Sequence, residues 1–249
     1  MRTFATGEPC WIECATPDAG AAESFYGSVF GWTFADADPG SPYRHALRGG
    51  RLAAGLNPGT TLTPDWRVYL TTDDVDRTAG QVVALGGTIV YGPRDAGSHG
   101  RFVYARDPAG AQIAFREPGG SPGIEVAGEP GTATWYELWV RDPATADAFY
   151  TGLFGYERTQ LGDGQHVDYA TYGLGGATWA SRFVLAGADI PDEVAARWVV
   201  YVATADCDAT FAAAVAAGAK PVREPADSPR GRWAILRDPW GALFALLAR

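Results

Sequence analysis

The sequence predicts an α+β protein made of four strand–helix–three-strand modules, paired two and two. Three observations predict it. First, WIECATPDAGAAESFYGSVFGW (11–32) recurs without a gap as WYELWVRDPATADAFYTGLFGY (135–156). Second, RVYLTTDDVDRT (67–78) recurs as VVYVATADCDAT (199–210), and GRFVYARDPAGAQIAF (100–115) as GRWAILRDPWGALFAL (231–246), in the same order. Third, EPGGSPGIEVAGEPG (117–131) places five Gly and three Pro in fifteen residues between the copies, a linker composition. The expected domains are therefore 1–117 and 132–249, joined by a linker at 118–131. Their modules span about 8–60, 64–117, 132–186 and 195–249. What both copies keep is scaffold, and what one copy alone carries is the better candidate for chemistry.

Each element has a local reason. Trp11–Ala15 alternates like a half-buried strand. Asp18 then precedes a run in which Ala22, Phe25, Tyr26 and Val29 fall at helical spacing, and Gly31 is a plausible stop. WTFADA, YRHALRG and RLAAGL follow as short strands. WRVYLTT opens the second module, whose helix runs from about Asp74 to Leu85 and ends at Gly86-Gly87. TIVYGP, RFVYAR and AQIAFRE are its three strands, and DPAG (107–110) is a tight turn. The second half repeats this order. GDG (162–164) and the Gly pairs at 49–50 and 175–176 read as hairpin turns. They lack the strand–glycine loop–helix context of a dinucleotide site, so no cofactor is expected.

Composition narrows the function classes. The 249 residues are 47% hydrophobic with a net charge of −9. That charge and the lack of a basic run disfavour nucleic acid as a partner. No stretch is long and apolar enough for a membrane span, and the opening MRTFATGEPC has no apolar signal region. A cytoplasmic protein is the expectation, monomeric or homodimeric. Cys10, Cys14 and Cys207 read as reduced thiols. Cys10 and Cys14, four apart, read as buried small hydrophobes rather than a metal pair.

The TPD–x6–FYxxVFGW opening, the DDVD helix start and the DPxGxxxxF ending resemble the vicinal oxygen chelate superfamily. It groups glyoxalase I, extradiol dioxygenases, fosfomycin-resistance enzymes and bleomycin-resistance proteins. The resemblance covers essentially the whole chain and is closest to tandem, actinobacterial-type members. It implies paired βαβββ modules whose mixed sheets curl into cups. It also implies where a divalent metal would be held: a His, Gln or Glu on the first strand of a module and a Glu on its last strand. Those places fall on Trp11, Trp135, Arg67 and Val199, and on Ala114 and Ala245. None is a metal ligand, so no metal is expected there.

Strand alternation predicts what shares a face with those positions. In the first half it is Trp11, Glu13 and Ala15, then Arg67 and Tyr69, then Gln112, Ala114 and Arg116. In the second half it is Trp135, Glu137 and Trp139, then Val199 and Tyr201, then Leu243, Ala245 and Leu247. The first set is polar at its centre and the second is aromatic, with Trp179 adding to it. Glu13 and Glu137 read either as general bases or ligand acceptors, or as scaffold acids paired to nearby donors. Arg67 either binds an anionic ligand group, pairs with Glu13, or lies at a solvated rim. Tyr69 and Tyr201 offer phenolic hydrogen bonds or packing, and Trp11 and Trp135 offer stacking walls or plugs. Tyr43 and Tyr169 correspond across the halves and would line the cup mouths. His45 is the best placed of three histidines for acid–base work; His99 and His166 lie in loop-like stretches.

The expectation is a metal-free protein that binds an apolar or aromatic small molecule, with Trp11, Tyr43, Gln112, Trp135, Glu137, Trp139, Tyr169, Trp179 and Tyr201 as ligand contacts. The alternatives are a metal-independent lyase, isomerase or cyclase using Glu13, Arg67, Tyr69 and His45, a metal-dependent glyoxalase or dioxygenase with unconventional ligands, and a protein-interaction scaffold. Whether the chain is an enzyme stays open at this point.

Overall fold

A computed structural model of the chain describes residues 3–59, 63–164, 167–185 and 195–249. The first module is β1 (Pro9–Thr16), α1 (Ala19–Phe30), β2 (Thr33–Asp36), β3 (Arg44–Arg48) and β4 (Arg51–Pro58). The second is β5 (Asp65–Thr71), α2 (Val75–Ala84), β6 (Thr88–Asp95), β7 (Arg101–Arg106) and β8 (Gln112–Glu117). The third is β9 (Ala133–Val140), α3 (Pro143–Phe154), β10 (Glu157–Gln160), β11 (Tyr169–Leu174) and β12 (Ala177–Val184). The fourth is β13 (Arg197–Ala203), α4 (Cys207–Ala216), β14 (Lys220–Ser228), β15 (Gly231–Arg237) and β16 (Leu243–Ala248). The four predicted strand–helix–three-strand modules are all present. No helix among the described residues is long and apolar enough to cross a membrane.

The helices start where the sequence supplies an acceptor. Asp18, Asp74, Asp142 and Asp206 each accept from a backbone N–H in the first turn, at Ala21, Arg77, Thr145 and Ala209. Each such cap contributes roughly 1 kcal/mol. α1 and α3 stop at Gly31 and Gly155, whose φ values of 67° and 70° are left-handed and favour glycine.

The strands form two eight-stranded mixed sheets, ordered β2-β3-β4-β1-β5-β8-β7-β6 and β10-β11-β12-β9-β13-β16-β15-β14. Within each module the first strand pairs in parallel with the last, which the intervening helix makes possible. The other pairings within a module are antiparallel.

Compact packing groups the modules differently from the sheets. One unit, here the outer unit, holds residues 11–67, 124–135 and 199–249; the other, the inner unit, holds residues 1–10, 68–123 and 136–198. In the outer unit the first and fourth modules meet through their helices. Phe30 lies 5.7 Å from Phe244 ring to ring, and Tyr26 donates its hydroxyl to Asp238 at 2.8 Å. In the inner unit Tyr150 donates to Asp107 at 2.9 Å, and Trp198 donates to the Tyr150 hydroxyl at 2.9 Å. Asp107 and Asp238 are the acids of the two DPxG turns and also accept the N–H groups of Ala111 and Ala242. Burial pushes both carboxyls above the usual Asp range, and it pushes the Tyr26 and Tyr150 phenols well above theirs. These linked acids and phenols are buried yet hydrogen-bonded, as such groups must be.

Candidate functional site

The outer unit gathers most of the residues singled out in the first module. Glu13 on β1 is 1% exposed. Its Oε1 accepts from Arg67 Nη1 on β5 at 2.6 Å and from Asn57 Nδ2 on β4 at 3.1 Å. Register places Glu13 opposite Gly55, and Gly55 opposite His45, so the acid and the imidazole belong to one row across β1, β4 and β3. Gly55 has no side chain for a reason. A Cβ there would collide with the Tyr43 hydroxyl, which crosses over it. That hydroxyl accepts from Trp11 Nε1 at 2.9 Å. His45 meets Trp11 edge-on at 5.8 Å and Tyr43 at 6.0 Å between ring centroids. Trp11, Glu13 and Arg67, which alternation grouped on one face, thus come together, and Tyr43, His45, Asn57 and Gly55 join them. RLAAGL ends at Leu56, so the sequence reading stopped one residue short of Asn57. β4 in fact continues to Pro58.

The inner unit holds the repeat of the same acid with different partners. Glu137 on β9 accepts from Trp139 Nε1 at 2.7 Å and from Ser181 Oγ at 3.2 Å. Ser181 stands opposite Glu137 as Gly55 stands opposite Glu13, and Thr171 stands opposite Ser181 where the first module has His45. The donors to the acid thus differ between the copies, Arg67 and Asn57 in one and Trp139 and Ser181 in the other.

The remaining candidates scatter. In the inner unit Tyr69 on β5 meets the Tyr104 hydroxyl at 2.9 Å, O to O. Tyr104 in turn lies 5.8 Å from Tyr91 and 5.0 Å from Phe102. Sequence reasoning missed Tyr91, Phe102 and Tyr104 because it considered only first and last strands. Gln112 opens β8 opposite Arg106 and is half-buried. Tyr169 opens β11 opposite Phe183, and Trp179 is half-buried on β12. In the outer unit the Arg230 guanidinium lies over the Trp135 ring at 4.6 Å, and Tyr201 on β13 pairs with Ala245. The His99 carbonyl accepts from Arg116 Nε at 2.8 Å. His166 lies outside the described residues. The expected contrast between a polar first half and an aromatic second half is redistributed. Trp139 spends its N–H on Glu137, while the second module carries the four-ring cluster.

The side chains present do not fit the divalent metal that the resemblance implies. Ala114 and Ala245 are fully buried and offer no donor. Trp11 points its N–H at Tyr43, and Arg67 brings a positive charge to the one carboxylate of its row. Among the described residues no group of three or more His, Cys, Asp or Glu could hold a metal ion.

Comparisons with known proteins agree with this fold. The family model described as "Glyoxalase/Bleomycin resistance protein/Dioxygenase superfamily" matches residues 11–115 and 132–246. The chain is similar to "Putative glyoxylase CFP32" of Mycobacterium tuberculosis, 34% identical over 254 residues, covering 98% of this chain and 95% of that protein. It is equally similar to "Anthracycline biosynthesis protein DnrV" of Streptomyces peucetius, 34% identical over 265 residues, covering 99% and 95%. Among solved structures, the Mn(II)-bound glyoxalase from Novosphingobium aromaticivorans superposes with a TM-score of 0.65 at 17% identity, covering 98% of this chain and 82% of that one.

Proposed function

Because the chain belongs to the glyoxalase/bleomycin resistance/dioxygenase superfamily, we propose that it binds an apolar or aromatic metabolite without a metal at the superfamily's ligand positions. The observation that carries this reading is the state of Glu13. It is the first-module carboxylate beside the implied metal place, and Arg67 and Asn57 already occupy it. A carboxylate paired in this way serves as a fixed acceptor better than as a metal ligand. Trp11, Tyr43 and His45 supply ring edges and an N–H/O–H pair around the same row. An apolar wall with a few placed polar groups is the usual form of a small-molecule site. The similarity to DnrV, an anthracycline biosynthesis protein, supports a polycyclic aromatic ligand of natural-product type.

One observation favours a second reading, a metal-independent lyase, isomerase or cyclase. His45 shares a register row with Glu13, and only the first module has that pairing. In this reading His45 moves a proton at the ligand while Glu13 and Arg67 hold it in place.

One experiment tests the proposal. Dialysed protein is assayed for Mn, Fe, Co, Ni and Zn, then titrated with a hydroxyanthraquinone while its tryptophan fluorescence is followed. Saturable quenching that survives chelator treatment is expected. A stoichiometric metal whose removal abolishes binding would overturn the proposal, as would absence of saturable quenching. Product formation that ends with His45→Gln would select the second reading.

A further inference from the structure

In the inner unit, one row across the second module's sheet is aromatic. Tyr69 on β5 pairs with Ala114 on β8, Ala114 with Tyr104 on β7, and Tyr104 with Tyr91 on edge strand β6. Ala114 is the gap in the row, and the Tyr69 hydroxyl spans it to reach that of Tyr104. Phe102 is two residues from Tyr104 on the same strand, so it shares the face, and its ring lies 6.1 Å from Tyr91. Exposure rises along the row. Tyr69 is buried, Tyr104 and Phe102 are half-buried, and Tyr91 is 47% exposed. Arg94, opposite Phe102, places its guanidinium 5.5 Å from the Tyr91 ring centroid.

The fourth module has the same row with other chemistry. Tyr201 pairs with Ala245, Ala245 with Ile235, and Ile235 with Arg223. Trp233 stands where the second module has Phe102, and Arg223 covers its ring at 4.8 Å. The repeat therefore keeps Tyr–Ala and replaces Tyr–Tyr with Ile–Arg. Core packing does not require the difference at the outer end, because Tyr91 and Arg223 are both exposed edge residues. A large aromatic ring left half in solvent, beside two others and under a cation, is more economically explained by a ligand than by the fold.

We propose that the Tyr104–Tyr91–Phe102 cluster, with Arg94 at its rim, is a stacking platform for one planar aromatic ligand that carries an acidic oxygen. The inference rests on the proposed binding of an aromatic ligand and goes beyond it, because it assigns a site in the inner unit, whereas the Glu13 row belongs to the outer one. Offset or edge contacts with the three rings select flat π-systems over puckered ones of equal size. Arg94 meets the acidic group as a planar bidentate donor. The fourth module, where Arg223 covers Trp233, takes no second ligand.

The probe is anthraquinone-2-carboxylate, compared with neutral 2-(hydroxymethyl)anthraquinone, in calorimetric titrations of the full chain. One Tyr91-dependent carboxylate site per chain is expected. Tyr91→Ala should weaken it about threefold or more, and Tyr91→Ala with Tyr104→Leu roughly tenfold or more. Arg94→Gln should weaken the carboxylate but not the alcohol, and Arg223→Ala should change neither. Tyr91→Ala alone removes an exposed edge residue, so the test holds even if the double variant fails to fold. Unchanged affinity in the Tyr91 and Arg94 variants overturns the platform. If the probe binds these variants as it binds the original chain but is lost on Trp11→Ala, the platform falls and the proposed function stands. If it does not bind the original chain, both fall.

Discussion

Removing the Arg67 guanidinium while keeping Glu13 is the sharpest test of how the first-module site is held. The two side chains are 9% and 2% exposed, and Nη1 approaches Oε1 at 2.6 Å. Arg67→Met retains most of the buried stem but takes the charged partner from a buried carboxylate, to which Asn57 still donates. Breaking one side of a buried ion pair costs about 3–5 kcal/mol. A chain of this length loses about 2–4 °C in melting midpoint per kcal/mol, so a drop of roughly 6–20 °C is expected. The double variant Glu13→Gln, Arg67→Met replaces both charges and should recover most of that loss, because the desolvation cost of the pair disappears with it. Urea denaturation followed by tryptophan fluorescence reads both variants. A single-variant loss under about 1 kcal/mol would refute the reasoning, since that is the behaviour of a solvated surface pair.

Four further outcomes follow from the structure. Gly55→Ala should cost about 1–3 kcal/mol by driving the Tyr43 hydroxyl off its place, and a double-mutant cycle with Tyr43→Ala should show the two changes strongly coupled. Trp139→Phe should cost about 1–3 kcal/mol in a urea titration, because the buried Glu137 loses the 2.7 Å hydrogen bond from the indole. Burial raises the folded-state pKa of Asp107 and Asp238, so the folded chain binds more protons between the ordinary Asp value and the raised one; stability should fall as pH rises through that window, and Asp107→Asn with Asp238→Asn should flatten the slope in urea titrations across pH. Burial raises the Cys10 and Cys14 thiols and pushes Cys207 up to about 11, so a disulfide reagent at pH 8 should leave all three unmodified in the native chain and label them in urea.

Much of the architecture was legible because local signals repeat. Asp before each helix and Gly after α1 and α3 act within a few residues, and the duplicated text supplied four readings of one module. What alternation could not reveal is which modules pack helix to helix. The Tyr26–Asp238 bond joins residues 212 positions apart, and Tyr150–Asp107 joins 43. Neither periodicity nor spacing carries that information, although both tyrosines and both acids stood in the aligned repeats. At the site, alternation grouped Trp11, Glu13 and Arg67, since a strand shows every second residue to one face, while Tyr43 stood out by its match to Tyr169 and His45 by its place on the third strand. It missed Asn57, beyond the expected strand end, and the Tyr91–Phe102–Tyr104 cluster, whose strands lie outside the positions that the family resemblance drew attention to. Setting Tyr104 beside Ile235 and Tyr91 beside Arg223 would have exposed that cluster without any structure.

Duplication also separates constraint from use at the two acids. Glu13 and Glu137 stand at one position of the repeat, so the carboxylate alone does not distinguish the copies. Its donors do. In the second copy Glu137 accepts from the Trp139 indole on its own strand and from Ser181 on the neighbouring one. The first copy reaches across to Arg67 in the next module and leaves Gly55 bare so that Tyr43 can cross it. The ion pair with Arg67 and the crossing Tyr43, with His45 in the same row, surround the first-module acid with the side chains that binding or proton transfer would use. Exchanging the two donor sets should therefore change ligand affinity in the first module before it changes stability in the second.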